Sequence, residues 1–130
     1  MPEGKKYKVL IVDDDKFLLQ MYATKFTLSG HEVTSAQNGA EALEKLREGL
    51  KPDIVLLDVV MPGVDGMEVL QTIHKDALVP EAVYVMLTNQ SAPADIERAK
   101  TIGMHGYIVK ATTIPSEVVE EVIKIREKKK

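Results

Sequence analysis

An α/β fold, with a parallel sheet covered by helices on both faces, is what the sequence predicts. Short, continuous, β-branched apolar runs recur along the chain, as expected of strands buried on both faces. Segments with apolar residues at helical spacing separate them. Five of each alternate, with no internal repeat, low-complexity block or linker between them.

The first strand is Val9 to Val12. A helix follows over Lys16 to Leu28, with Phe17, Leu18, Met21, Tyr22 and Leu28 as its apolar stripe and Gly30 as its stop. Val33 to Ala36 is a shorter, weaker strand, expected nearer an edge. The helix from Ala40 to Leu50 places Ala42, Leu43, Leu46 and Leu50 on one stripe. Lys51-Pro52-Asp53 leads into a buried strand, Ile54 to Leu57. Met61 to Gly66 is a loop by its Pro and Gly content. Met67 to Lys75 is helical, and Ala82 to Leu87 is a strand. Ser91 is a candidate N-cap for a helix from Pro93 to Ile102, which Gly103 stops. Gly106 to Val109 is the fifth strand. The last helix runs from Pro115 to about Lys128, with Val118, Val119, Val122, Ile123 and Ile125 as its apolar face.

In open parallel sheets, ligands sit beyond the carboxyl ends of the strands. Four of these ends carry chemistry. The first delivers Asp13-Asp14-Asp15, the third Asp58, the fourth Thr88 and the fifth Lys110. Crowded carboxylates resist joint ionisation and call for a cation. Oxygen ligands without His or Cys suit a hard ion, magnesium before zinc or copper. An aspartate can also be a nucleophile that forms an aspartyl phosphate. A metal, the Lys110 ammonium and the Thr88 hydroxyl can together neutralise a transferring phosphoryl group.

Composition narrows the function classes. At 130 residues the chain fits one domain able to bury its own core. A net charge of −3 gives no reason to expect nucleic acid as the main partner. The absence of cysteine excludes disulfides, thiolate zinc sites and cysteine nucleophiles. The start, Met1 to Lys6, is polar and basic, and Val9 to Val12 is too short for a signal-peptide core. No stretch reaches the ~18 apolar residues of a membrane span. A cytoplasmic protein is expected.

With those residues in place, the chain resembles the receiver domain of bacterial response regulators, including the single-domain chemotaxis regulators. The resemblance rests on Val12-Asp13-Asp14, on Asp58 followed by Met61-Pro62 and Asp65-Gly66, on Thr88, and on Lys110 preceded by Tyr107. It covers roughly Tyr7 to Arg126. It implies a doubly wound, flavodoxin-like sheet of order 2-1-3-4-5, and one receiver domain over 1–130 with its core at about 7–126. Asp58 is then the phosphoacceptor, with Asp13, Asp14, Asp58 and the Val60 carbonyl around Mg2+. Lys110 pairs with the phosphate, Thr88 is the switch hydroxyl, and Tyr107 is the aromatic that follows it. The implied function is phosphorylation-activated signalling in a two-component phosphorelay. The chain would be no enzyme beyond accepting and hydrolysing its own phosphoryl group. Its partners would be a sensor histidine kinase or phosphotransfer protein and a downstream protein target, with no direct nucleic acid or membrane contact. It would act as a monomer or weak dimer. With no output domain after Arg126, output is expected through a partner on a face including Ile96, Lys100, Tyr107 and Glu117.

Three departures stand out. Ala111 follows Lys110 where the family usually has proline, so a cis bond there would cost ~2.5–4 kcal/mol, and the loop Ala111 to Ile114 is about one residue longer. Val60 is apolar beside the phosphoryl site. Asn89 and Gln90 follow the switch threonine. An altered phosphoryl lifetime is expected. Two further readings compete. A haloacid-dehalogenase-like phosphatase would use Asp13-Asp14-Asp15 but leave Asp58 unexplained. A degenerate receiver would bind a partner without phosphorylation. Flavin binding lacks the hydroxyl- and glycine-rich loop it needs. His31, His74 and His105 read as surface or loop residues, the methionines as core filling, and Lys128 to Lys130 as a frayed helix end.

Overall fold

A computed structural model describes residues 6–61, 63–88 and 93–129. The expected strands and helices are present. Strands β1 (Lys8–Val12), β2 (Glu32–Ala36), β3 (Ile54–Asp58), β4 (Val83–Thr88) and β5 (Gly106–Val109) form one parallel sheet of order β2-β1-β3-β4-β5. Helices α1 (Lys16–Leu28), α2 (Gly39–Arg47), α3 (Gly66–Lys75), α4 (Pro93–Ile102) and α5 (Pro115–Lys128) connect or follow them. Registers such as Val12 opposite Leu57 and Asp58 opposite Leu87 align the carboxyl ends of the three inner strands.

The apolar runs lack alternation because both faces of the sheet are covered. Leu10, Val12, Val55, Leu57, Tyr84 and Met86 point toward a core shared with α2 and α3. Val9, Ile11, Ile54, Leu56, Val83 and Val85 point the other way, toward α1 and α5. Every residue of the central strand β3 is buried, whereas β2 at the edge is mostly half-buried, as its weaker pattern predicts.

Helix α1 departs from expectation. Its core-facing residues are Leu19, Tyr22 and Phe26, while Phe17 and Leu28 are 71% and 76% exposed. The helix carries two apolar stripes, and periodicity alone does not say which one faces the sheet. Helix α2 also stops short of Leu50. Gly49 takes a positive φ of 111°, and the Leu50 N–H turns back to the Lys45 carbonyl at 3.2 Å, closing the helix end.

Of the three histidines expected at surface or loop positions, His74 and His105 are exposed and only His31 is buried. His31 is buried just before β2, and its Nδ1 accepts the backbone N–H of Tyr7 at 3.1 Å. His105 stands just before β5, and its Nδ1 accepts the backbone N–H of Tyr84 at 3.0 Å. Each imidazole stacks on the ring of the tyrosine whose backbone it caps, with centroids 5.7 Å apart in both pairs. Desolvation holds both imidazoles below their ordinary pKa, and Lys129 and His74 add to the effect at His105. His74 packs against Tyr84 as well, at 4.9 Å. Nor is the helix end simply frayed, because Lys129 Nζ donates to the Glu81 carbonyl at 2.6 Å. The expectations for Ser91, Asn89, Gln90 and Lys130 fall outside the described residues.

Candidate phosphoryl site

The carboxyl end of the sheet gathers the acids. Asp13, immediately after β1, is fully buried, and its backbone N–H donates to the Ala36 carbonyl at 3.2 Å. Its Oδ1 accepts the Asp15 N–H at 2.9 Å, which bends the chain into α1. Asp15 then caps that helix, accepting the N–H groups of Phe17 and Leu18. Asp14, between them, is exposed. Asp58 ends β3, is buried, and accepts the Val60 N–H at 3.3 Å.

Lys110 opens a short 3₁₀ turn after β5 and reaches back over the sheet end. Its Nζ lies 2.9 Å from Asp13 Oδ2 and 3.0 Å from Asp58 Oδ2. Burial alone would lower the lysine's pKa, but the two carboxylates outweigh it and hold the ammonium above its ordinary value. Asp58 is also held above its ordinary value. Burial raises it to about 7, Lys110 works against that rise, and neighbouring Asp13 adds to it.

Gly66 makes the site possible in a way its reading as loop punctuation misses. A Cβ there would stand 2.2 Å from the Asp58 carbonyl and 2.9 Å from Val59 Cα. Only glycine lets α3 begin this close to the acid-bearing loop. Asp65 and Glu68 then secure the helix start as a reciprocal capping box.

One oxygen of each of Asp13, Asp14 and Asp58 lies within 4.8 Å of the others. Asp13 Oδ2 is buried and, although it faces Lys110, has no aligned hydrogen bond. An all-oxygen set with a buried oxygen lacking such a bond fits a hard divalent cation. Thr88, at the end of β4, is half-buried, and Tyr107 on β5 is 41% exposed. Both line one small cavity with Val59, Ile96, Ala99 and Met104. Val60 and Ile114 stand out from the rim, 69% and 60% exposed. Among the described residues no peptide bond is cis, so the Lys110–Ala111 bond is trans.

A doubly wound parallel sheet that carries an acid cluster and a buried lysine at its carboxyl end is the frame of the site. Residues 9–122 match the family model of the response regulator receiver domain. The chain is 39% identical to the chemotaxis protein CheY of Thermotoga maritima over 119 residues, 91% of this chain and 96% of that one. It is also 39% identical to the probable transcriptional regulator ycf27 of Pyropia yezoensis over 108 residues, but spans only 43% of that protein's length. The structure of the chemotaxis protein CheY4 of Vibrio cholerae superposes with a TM-score of 0.85 at 28% identity, covering 93% of this chain and 99% of that one. The chain belongs to the response regulator receiver family, whose members act in phosphorylation-activated two-component signalling, engage kinases and downstream effectors, and are signalling domains rather than classical enzymes.

Proposed function

We propose that Asp58 is the phosphoacceptor and that its phosphorylation resets a protein-binding face. The observation that carries this reading is Lys110 Nζ, 3.0 Å from Asp58 Oδ2, in a nearly closed site at the carboxyl end of the sheet. Ionised Asp58 would attack the phosphorus of a phosphohistidine on a sensor kinase or phosphotransfer protein. An O–P bond forms, the P–N bond breaks, and the imidazole leaves. Lys110 then pairs with a phosphoryl oxygen, and the Thr88 hydroxyl donates to another. Asp13, Asp14, Asp58 and the Val60 carbonyl would hold Mg2+. When bound, that ion supplies charge neutralisation for the phosphoryl oxygens. Hydrolysis of the aspartyl phosphate would be the only other reaction of the domain.

The cavity shared by Thr88 and Tyr107 supports a switch in which the tyrosine moves inward as the threonine is drawn toward the phosphoryl group. The face that changes would include Ile96, Lys100, Tyr107 and Glu117, of which the last three are exposed. Its occupant would be a downstream protein rather than nucleic acid or membrane, in the cytoplasm, with the receiver a monomer or weak dimer. Among the described residues no helix is long and apolar enough to cross a membrane.

The test is intact mass after incubation with Mg2+ and acetyl phosphate. One added phosphoryl group, lost in Asp58→Asn and without metal, is the expected result. No adduct under conditions that suppress hydrolysis would point to a receiver that works unphosphorylated.

A further inference from the structure

An inward turn of Tyr107 needs more room than its cavity holds. The cavity it lines with Thr88 measures about 10 Å³, space for about one water. A benzene ring fills a protein cavity of about 150 Å³. Withdrawing the Thr88 hydroxyl toward a phosphoryl group adds only a further water-sized space. Interiors are close-packed, so another side chain must leave as the ring arrives.

The walls differ in what they can give up. Met67 of α3, Met86 of β4 and Ala99 of α4 are buried in the core. Of the half-buried residues that line the cavity, Val59, Thr88 and Ile96 are β-branched and stiff at χ1. Among the described lining residues Met104 alone is both half-buried and unbranched, a flexible thioether chain with solvent on one side. Its backbone is held from both directions. The Met104 N–H donates to the Ala99 carbonyl at 2.9 Å, and the next N–H, of His105, donates to the Tyr84 carbonyl at 2.7 Å. Side-chain rotation is therefore the motion open to it.

We propose that Met104 is the gate of this cavity: its side chain swings out to solvent as the Tyr107 ring swings in. The inference rests on the reading of Tyr107 as the switch aromatic and adds the residue that sets how readily it turns. Tyr107 stands opposite Met86 in the register of β4 and β5. The entering ring thus meets a thioether that stays, a favourable sulfur–aromatic contact, while the Met104 thioether departs. One apolar group replaces another, so the filled volume is conserved and the exchange has two packed end states. The size and flexibility of residue 104 then bias the equilibrium between them, with or without phosphate.

The test follows the methyl groups of the six methionines, isotope-labelled, by NMR with a soluble paramagnetic probe. Tyrosine ring resonances are read on the same samples, and intact mass gives the phosphoryl occupancy reached with Mg2+ and acetyl phosphate. Phosphorylation should protect the Tyr107 ring from the probe and expose the Met104 methyl to it. The Met86 methyl should take a ring-current shift, and Met67 and Met86 should stay protected. Met104→Ala should raise the inward-to-outward ratio of Tyr107 at least about fivefold without phosphate, the scale of relieved overpacking. Met104→Ile, similar in volume but stiff, should hold the ring outward at equal phosphoryl occupancy. A ring that enters while the Met104 methyl stays protected, or that enters Met104→Ile as freely as wild type, would overturn the gate and leave the switch standing. A ring that keeps its exposure at full phosphoryl occupancy, and in Met104→Ala as well, would overturn both.

Discussion

Replacing Asp58 with asparagine should make the metal-free protein more stable, although it removes the phosphoacceptor of the proposed mechanism. In the folded state burial, with Asp13 adding repulsion against the pull of Lys110, lifts the carboxyl from its ordinary 3.8 to about 7. A folded pKa above the unfolded one means that the folded state binds more protons between the two values. The stabilising contribution is therefore full below about pH 4 and is lost as pH rises through 7. Three units at 1.36 kcal/mol each set a ceiling of about 4 kcal/mol. Because Asp13, Asp58 and Lys110 titrate as a group, about 2–4 kcal/mol is the expected range at pH 8. Asparagine mimics the neutral carboxyl at every pH and so removes this loss.

Urea unfolding followed by circular dichroism suits the measurement, since the chain has no tryptophan. The difference between Asp58→Asn and wild type should be small at pH 4.5 and grow toward pH 8. Adding Mg2+ at pH 8 should narrow it, because an ion that binds the charged native site stabilises wild type alone. A variant no more stable than wild type at pH 8, or a gap independent of pH, would refute the argument.

The two stacked histidines act in the opposite sense. Their folded pKa values lie below 6.5, so their contribution is present above pH 6.5 and lost as pH falls through the lowered values. Replacing both His31 and His105 with asparagine should flatten the acid side of the stability profile below pH 6.5, read by the same urea titrations. Gly66→Ala should cost about 1–3 kcal/mol, despite alanine's better helix propensity, because its Cβ meets backbone that cannot yield; the melting temperature reads this out. Val60→Asn should change the rate at which the aspartyl phosphate hydrolyses, measured by the decay of the phosphorylated mass after the donor is removed.

The fold was legible because both periodicities were intact. Continuous runs such as Ile54 to Leu57 announced a strand buried on two faces, and their alternation with helices fixed the layering. That Lys110 shares a rim with both acids was anticipated from strand ends alone, since a parallel sheet brings its carboxyl termini together; its direct pairing with Asp13 and Asp58 was not. What escaped was whatever depends on rotation or on contacts distant in sequence. Nothing local says that Leu19 and Phe26, rather than Phe17 and Leu28, turn inward. His31 and His105 looked solitary because their partners, Tyr7 and Tyr84, stand 24 and 21 residues away. Gly66 looked like loop chemistry because the obstacle to a side chain is the backbone of Asp58 and Val59, brought close only in the folded chain.

The stacked pairs bear on which ions the protein can hold. Each of these imidazoles receives a backbone proton at Nδ1, so while neutral its own proton sits on Nε2. Nδ1 has no lone pair to offer and Nε2 is blocked by hydrogen. A soft or borderline metal could claim either ring only by first breaking a bond at the amino end of the sheet. Two of the chain's three histidines are thereby engaged at the amino end of the sheet, opposite the carboxylates that would hold a hard ion.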